Sequence, residues 1–411
     1  MSSPIRPLST LRHRPVLVWV LARFGSGAAV TLLRSVFMWQ VYAVSHSKVA
    51  LGLVGLFQFL PAPIASLVGG AVADARDRRR IVLVTQTVSL VCATLLSALT
   101  FAGAVTLPVL FALVVAAASA SSFESPARSA ILPSLVPPEE LPAAVTLFGT
   151  INALAFMSGP AIGGALLAAG PGVAYGGAAL LFLLSWVLVT LIPKPKPRSD
   201  APKRAVDLAS IKEGIAFVWK EKALLGCMSL DMFAVLFGGA TALLPVFATD
   251  ILACGSGGYG LLSASLDIGA LVTSLVLLAR RPIRRLGRAL LVTVAVYGVA
   301  TIAFGLSRSF PLSVAAYVAV GMADQVSVIV RGMIVQTVTP DALRGRVSAV
   351  NMLFIGASNQ LGAFESGMAA ALLGPVAAVV GGGAICLVVV LVVGLALPRL
   401  TTFGAPEPEV P

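Results

Sequence analysis

Residues 69–84 read GGAVADARDRRRIVLV, an apolar run that breaks into Asp74, Arg76, Asp77, Arg78, Arg79 and Arg80 and then turns apolar again. Six charges between two greasy segments suit a short loop at a membrane surface. The rest of the chain supports that setting. Of its 411 residues 58% are hydrophobic and only 11% charged, and the mean hydropathy is +0.98. A soluble globular domain carries about 25% charged residues, so this chain could not cover a water-facing surface. Apolar runs of membrane-spanning length recur throughout it, which defines an integral membrane protein.

The net charge of +12 would suggest nucleic acid in a soluble protein. Here the basic residues lie in loops between spans, where they set topology and meet anionic lipid; no nucleic-acid partner is expected. Cys92, Cys227, Cys254 and Cys386 are scattered, with no paired spacing and no histidine nearby. Neither a metal site nor a disulfide framework follows, and no cofactor is expected. The first apolar segment is too long for a signal peptide and is interrupted by Arg23 and Arg34, so it is kept as a span.

Spans are expected near 16–44, 49–72, 81–103, 106–131, 141–169 and 172–192, then near 223–249, 257–279, 287–306, 311–335, 342–373 and 375–397. Between the two sets lies a polar stretch, PKPKPRSDAPKRAVDLASIKEG, at 193–214. The expected fold is therefore all-α: twelve transmembrane helices in two six-helix bundles, 1–192 and 223–411, joined by a cytoplasmic linker at 193–222. Orientation follows from the basic residues. With both termini inside, the inner segments carry Arg12 and Arg14, the arginines of 76–80, the linker lysines, and Arg280 to Arg288; the outer side carries little beyond Lys48 and Arg308.

The halves also resemble each other at an offset of roughly 200 residues. LGLVGLF from Leu51 falls on YGLLSAS from Tyr259, PEELPAAVTL from Pro138 on PDALRGRVSA from Pro340, and Arg128 on Arg331. Parallel duplication of a six-span unit is the arrangement of a two-bundle transporter. Yet topology needs only basic charge, and it does not account for Asp74.

The segment Gly70-Ala-Val-Ala-Asp-Ala-Arg-Asp-Arg-Arg-Arg-Ile81 resembles the loop signature of the major facilitator superfamily, departing from it at Ala75, where a basic residue is usual, and at Asp77, where Gly is usual. LARF at 21–24, SPARSAILPSLVPPEEL at 125–141 and TPDALRGRVSAVN at 339–351 resemble the branch that includes the enterobactin exporter and macrolide efflux proteins. The resemblance implies that the loop acid docks at the start of the eleventh helix. A carboxylate there meets unsatisfied N–H groups and the positive end of the helix dipole. Two latches are expected: Asp74 and Asp77, beside Arg78, to Arg344 and Arg346, and Glu139 and Glu140 to Arg284, Arg285 and Arg288.

SGPAIGG at 158–164 resembles an exporter motif of the same superfamily, with Ala155 one turn earlier where Gly is usual. Pro160 removes a backbone donor and bends the helix, while Gly159, Gly163 and Gly164 permit close contact.

Charges inside spans cost roughly 2.5–3.5 kcal/mol each and mark functional candidates. Arg23 and Arg34 share a face of the first span, and Asp231 of the seventh falls on Arg23 under the duplication, so the two are expected to pair. Glu124 and Arg128 are spaced to pair on the fourth span, and Asp324 and Arg331 share a face of the tenth. Asp267 lies mid-span in the eighth and Glu365 in the eleventh. Trp39, Gln40, Phe57, Gln58, Asn152, Asn359 and Gln360 are candidates to line a cavity. A titrating acid needs burial and a partner to exchange with, which favours Asp231 or Asp267.

No P-loop, His-rich patch or close pair of catalytic acids points to an enzyme or an ATP-driven pump. The expected function is secondary active transport: proton-coupled efflux of an amphipathic small molecule such as a drug or siderophore, by a monomer in the cytoplasmic membrane. Import or lipid movement by the same fold, and a non-transporting binding or sensing role, stay open at this point.

Overall fold

The computed structural model describes residues 7–61, 77–193, 208–279, 283–340, 343–401 and 403–404. No strand occurs among them. We number the long helices α1 (Arg14–Ser45), α2 (Lys48–Phe59), α3 (Arg78–Phe101), α4 (Leu107–Ile131), α5 (Leu141–Leu167), α6 (Pro171–Thr190), α7 (Lys222–Gly238), α8 (Gly255–Ala279), α9 (Leu286–Leu306), α10 (Phe310–Val338), α11 (Arg344–Leu373) and α12 (Pro375–Ala396). A separate linker helix spans Leu208–Lys220. Ten of the described helices are long and apolar enough to cross a bilayer. The two expected spans outside that set are α2, whose continuation at 62–76 lies outside the described residues, and α11, which has 30 residues but is less apolar.

The chain divides into two compact units, residues 1–46 with 57–205, and 47–56 with 206–411. The first part of α2 belongs with the second unit because Gly52 brings its backbone against α11: a Cβ there would lie 2.9 Å from the Phe364 carbonyl. Within the first unit α1 packs on α5 and α6, and α3 on α4 and α6. Within the second, α7 packs on α11 and α12, and α9 on α10 and α12. The same pairing recurs helix for helix, as a duplicated unit requires.

Small residues set these contacts, as expected where lipid removes the hydrophobic drive between helices. Gly159 of α5 lies so close to α1 that a Cβ would stand 2.6 Å from the Ala28 carbonyl and 2.7 Å from the Leu32 nitrogen. A Cβ on Gly27 of α1 would come within 2.8 Å of the Ala155 methyl. Gly163 and Gly164 are also buried, and α5 continues through Pro160 to Leu167. In the second unit Gly362 of α11 takes the corresponding place against α7, with a Cβ 2.8 Å from the Val235 carbonyl.

The charged loop at 69–84 is described from residue 77 onward. Asp77 caps α3, its carboxylate accepting from the Arg79 N–H at 2.9 Å. Arg79 reaches back to the last carbonyls of α6, Val189 at 3.1 Å and Thr190, where a cation meets the negative end of the helix dipole. Asp77 thus serves as the N-cap of its own helix. Asp74 lies outside the described residues.

α1 is continuous for 32 residues, whereas its counterpart α7 is broken. After Gly238 and Gly239 the chain passes through a 3-10 turn at Ala240–Leu243 and a π turn at Phe247–Ile251 before α8 begins. Adjacent glycines weaken the helix and Pro245 removes a donor. The freed carbonyls are taken up by hydroxyls, Tyr297 donating to Gly238 at 3.1 Å and Ser366 to Gly239 at 3.0 Å. Irregular backbone within a membrane is tolerated only when satisfied in this way.

Candidate functional site

In the first unit the polar groups form one buried network. Arg23 of α1 donates to the Asn152 carbonyl oxygen of α5, lies 3.5 Å from the Ser26 hydroxyl, and sits 5.7 Å from the centre of the Phe156 ring. On α4, Glu124 accepts from Arg128 at 3.3 Å, one turn along the same helix, and from the Gln86 amide of α3 at 3.4 Å. The Ser185 hydroxyl of α6 stands 2.8 Å from the Ala22 carbonyl and 3.2 Å from Gln86 Oε1, which ties the network to α1. Arg34, farther along α1, donates through Nε to Gln58 Oε1 of α2 at 2.8 Å.

The second unit holds its ions differently. Asp231 of α7 pairs with Arg331 of α10, both buried. A small cavity opens beside them, lined by Asp231 and Val235 of α7, Tyr297 of α9, and Asp324 and Ser327 of α10. It is about the size of one water molecule. Asp324 is half-buried and joins the cavity wall. Asp267, also half-buried, lies on α8, which packs against α10 through Thr273 to the Met322 carbonyl and through Gln325 to Ser274. Glu365 lies on α11 beside Ser366, the residue that caps the α7 break.

The candidate charges have these partners within their own units. Asp231 has Arg331 as its partner in the second unit, and Arg23 has Asn152 in the first. Arg331 reaches across to α7, while Asp324 lines the cavity beside it. Glu140 is held by Arg12 and, at 3.0 Å, by His13; Glu139, Arg284 and Arg285 are exposed. The Arg12 hydrogen bond, followed by that of His13, holds the Glu140 carboxyl below the usual carboxylate range. Arg346 pairs at 2.9 Å with Glu213 of the linker helix.

Sequence reasoning missed Gln86, Ser185, Tyr297 and Ser366. The only signals were an amide and hydroxyls inside apolar runs. The Gly238-Gly239 pair was a visible sign of the broken helix.

Two repeated helical units, each with ions buried inside its spans, define a membrane carrier. A family model described as "Transmembrane secretion effector" matches residues 2–406. The multidrug efflux pump Tap of Mycolicibacterium fortuitum is 26% identical, covering 88% of this chain and 90% of its own. The enterobactin exporter EntS of Escherichia coli O1:K1 is 28% identical over 98% of this chain and 97% of its own. Among solved structures, a bacterial homologue of the human lysosomal transporter Spinster, in an inward-facing and occupied conformation, superposes with a TM-score of 0.72 at 16% identity, covering 99% of this chain and 100% of its own. A POT family transporter in complex with 5-aminolevulinic acid gives 0.72 at 15% identity, over 94% of this chain and 97% of its own. These structures establish the fold. The chain belongs to the transmembrane secretion effector family of major facilitator transporters.

Proposed function

We propose that this transporter is a proton-coupled exporter of an amphipathic small molecule, such as a drug or siderophore, working by alternating access. The observation that carries the reading is the Asp231–Arg331 pair, which bridges α7 and α10 beside a water-sized cavity. A carboxylate buried with a single cation can exchange that cation for a proton, and here the exchange would release α10 from α7. The α7 break at Gly238 and Gly239 lies about two turns beyond Asp231, so the released helix has a joint nearby. Asp324 and Asp267 are the relay candidates, and Glu365 a more distant one. The direction of transport is supported by the relatives, an efflux pump and an exporter by name.

The same reading takes 1–192 and 223–411 as the moving bundles, with 193–222 as linker, and places both termini in the cytoplasm on the basic-residue bias. It places the protein in the cytoplasmic membrane as a monomer. Protonation of Asp231 from outside favours return of the substrate site to the cytoplasm.

The test uses purified protein in liposomes under an inward proton gradient, following lumenal pH while a panel of drugs and siderophores is added on the side bearing the basic loops. Substrate-dependent proton movement is the expected result. None across the panel would contradict antiport.

A further inference from the structure

Beyond their first turns the described spans hold four arginines, Arg23, Arg34, Arg128 and Arg331, and their surroundings separate one from the rest. Arg331 has Asp231 and Arg128 has Glu124, while Arg23 is buried against the Asn152 side chain, Ser26 and the Phe156 ring; Arg34 alone of the four is exposed. Arg34 has no carboxylate partner among the described residues. Its hydrogen-bond partner there is the neutral amide of Gln58, which takes Nε and leaves both Nη nitrogens without a partner among those residues. A guanidinium lies here about 7 Å from the midpoint of α1, at about 1.5 Å per residue, well inside a hydrocarbon core about 30 Å thick. A cation at that depth without a counter-ion is costly unless an anion arrives to meet it.

The local surface narrows what that anion is. From Ala22 to Tyr42 Arg34 is the one exposed residue on α1; its neighbours Leu33, Ser35 and Val36 are buried. A lipid-facing helix would expose an apolar stripe along its length. A single exposed side chain on an otherwise enclosed helix opens instead into a local space. Gln58 fixes one edge of the guanidinium, so the two Nη donors form a fork of the geometry that takes a carboxylate through two parallel bonds. Next to Gln58, Phe57 packs on Phe111 of α4 with ring centres 4.9 Å apart, an apolar surface one residue from the polar one.

We propose that Arg34, oriented by Gln58, binds the carboxylate of an amphipathic anion, so that the transported substrate is an organic anion. The assignment deepens the exporter reading and rests on it for the word transported; the binding site stands apart from it.

The probes are 2-naphthoate with 2-naphthamide, and biphenyl-4-carboxylate with biphenyl-4-carboxamide, matched pairs differing in charge. Binding is measured by equilibrium dialysis to the full chain in dodecyl maltoside. Wild type is expected to prefer each carboxylate. Arg34→Gln should weaken carboxylate binding about 10- to 100-fold, the range for losing a charge-assisted hydrogen bond, and leave the amides unchanged. Gln58→Leu, which leaves the charge but frees its orientation, should weaken it less, and Arg34→Lys should retain part of the preference. Unchanged melting temperature for Arg34→Gln shows that the protein is folded, since no internal counter-ion is lost.

No carboxylate preference in wild type, or a preference that survives Arg34→Gln, overturns the proposal. So does competition by phosphatidylglycerol that vanishes in Arg34→Gln, because the site would then hold a lipid headgroup. If the carboxylate effect holds but no substrate-linked proton flux occurs in liposomes, the binding site stands and the antiport reading fails. Proton-linked export of cations unaffected by Arg34→Gln has the opposite meaning: antiport stands and the organic-anion assignment fails.

Discussion

The two units are built on one pattern and differ where their ions sit. Under the duplication Arg23 corresponds to Asp231, Glu124 to Ser327 and Arg128 to Arg331. In the first unit the acid lies one turn from its arginine on α4; in the second it has moved to α7, and the pair spans two helices. The ion pair itself lies within one helix, and Glu124 reaches the next helix only through the neutral Gln86 amide. A pair between helices makes packing depend on a proton. The helix that received the acid is also the broken one, whereas α1 is continuous. One copy of the repeat keeps its pair on a single continuous helix, and the other carries it across two helices beside a break.

The sharpest break of this comparison removes the arginine from each unit. Arg331→Met leaves Asp231 buried without its cation and should destabilise by about 3–5 kcal/mol. Arg128→Met leaves Glu124 still held by Gln86 and should cost about 1.5–3 kcal/mol. Thermal unfolding in detergent measures both. Equal losses would mean that the second pair carries no special load.

Glycine substitutions test the shared frame. Gly159→Ala and Gly362→Ala each push a methyl into the backbone of the first helix of their unit and should cost about 1–3 kcal/mol. Gly149→Ala and Gly356→Ala meet nothing within 4 Å and should be neutral or stabilise by about 0.5–1 kcal/mol. A melt of the four variants that fails to separate into these pairs would contradict the duplicated packing.

The smallest effect belongs to the Arg12–Glu140 contact at the start of α5; at the start of α11 in the second unit, Arg346 pairs with Glu213 instead. Because the folded Glu140 carboxyl is held below its ordinary value of 4.5, its contribution is complete above that pH and is lost as the pH falls through the lowered value. Melting temperatures below pH 4.5 should therefore fall less steeply in Glu140→Gln than in wild type. Parallel curves would show that the contact adds nothing.

Much of the frame was legible because membranes constrain composition. The long apolar runs, the basic loops and the repeat between Arg128 and Arg331 all follow from local residue type and spacing. The glycines of 158–164 were legible as contact points, though nothing in them said that Gly159 would face Ala28. Cross-helix pairing was not legible: Asp231 and Arg331 are separated along the chain, and Arg23 is an equally good partner for Asp231 by charge and symmetry. Glu140 points by charge and symmetry to arginines of the other half, because Arg12, so near the start of the chain, reads as a topology signal alone. The charged loop at 69–84 divides the same way. Its arginines read correctly as a loop signal, while the capping by Asp77 and the grip of Arg79 on α6 required the fold.

On this reading the exchangeable acid lies in the second unit. Substrate-driven proton movement and proton-independent substrate counterflow should be compared in liposomes for wild type, Asp231→Asn and Glu124→Gln. Asp231→Asn is expected to abolish proton movement but keep counterflow, and Glu124→Gln to keep both. Proton movement that survives Asp231→Asn, or is lost in Glu124→Gln with counterflow intact, would contradict it.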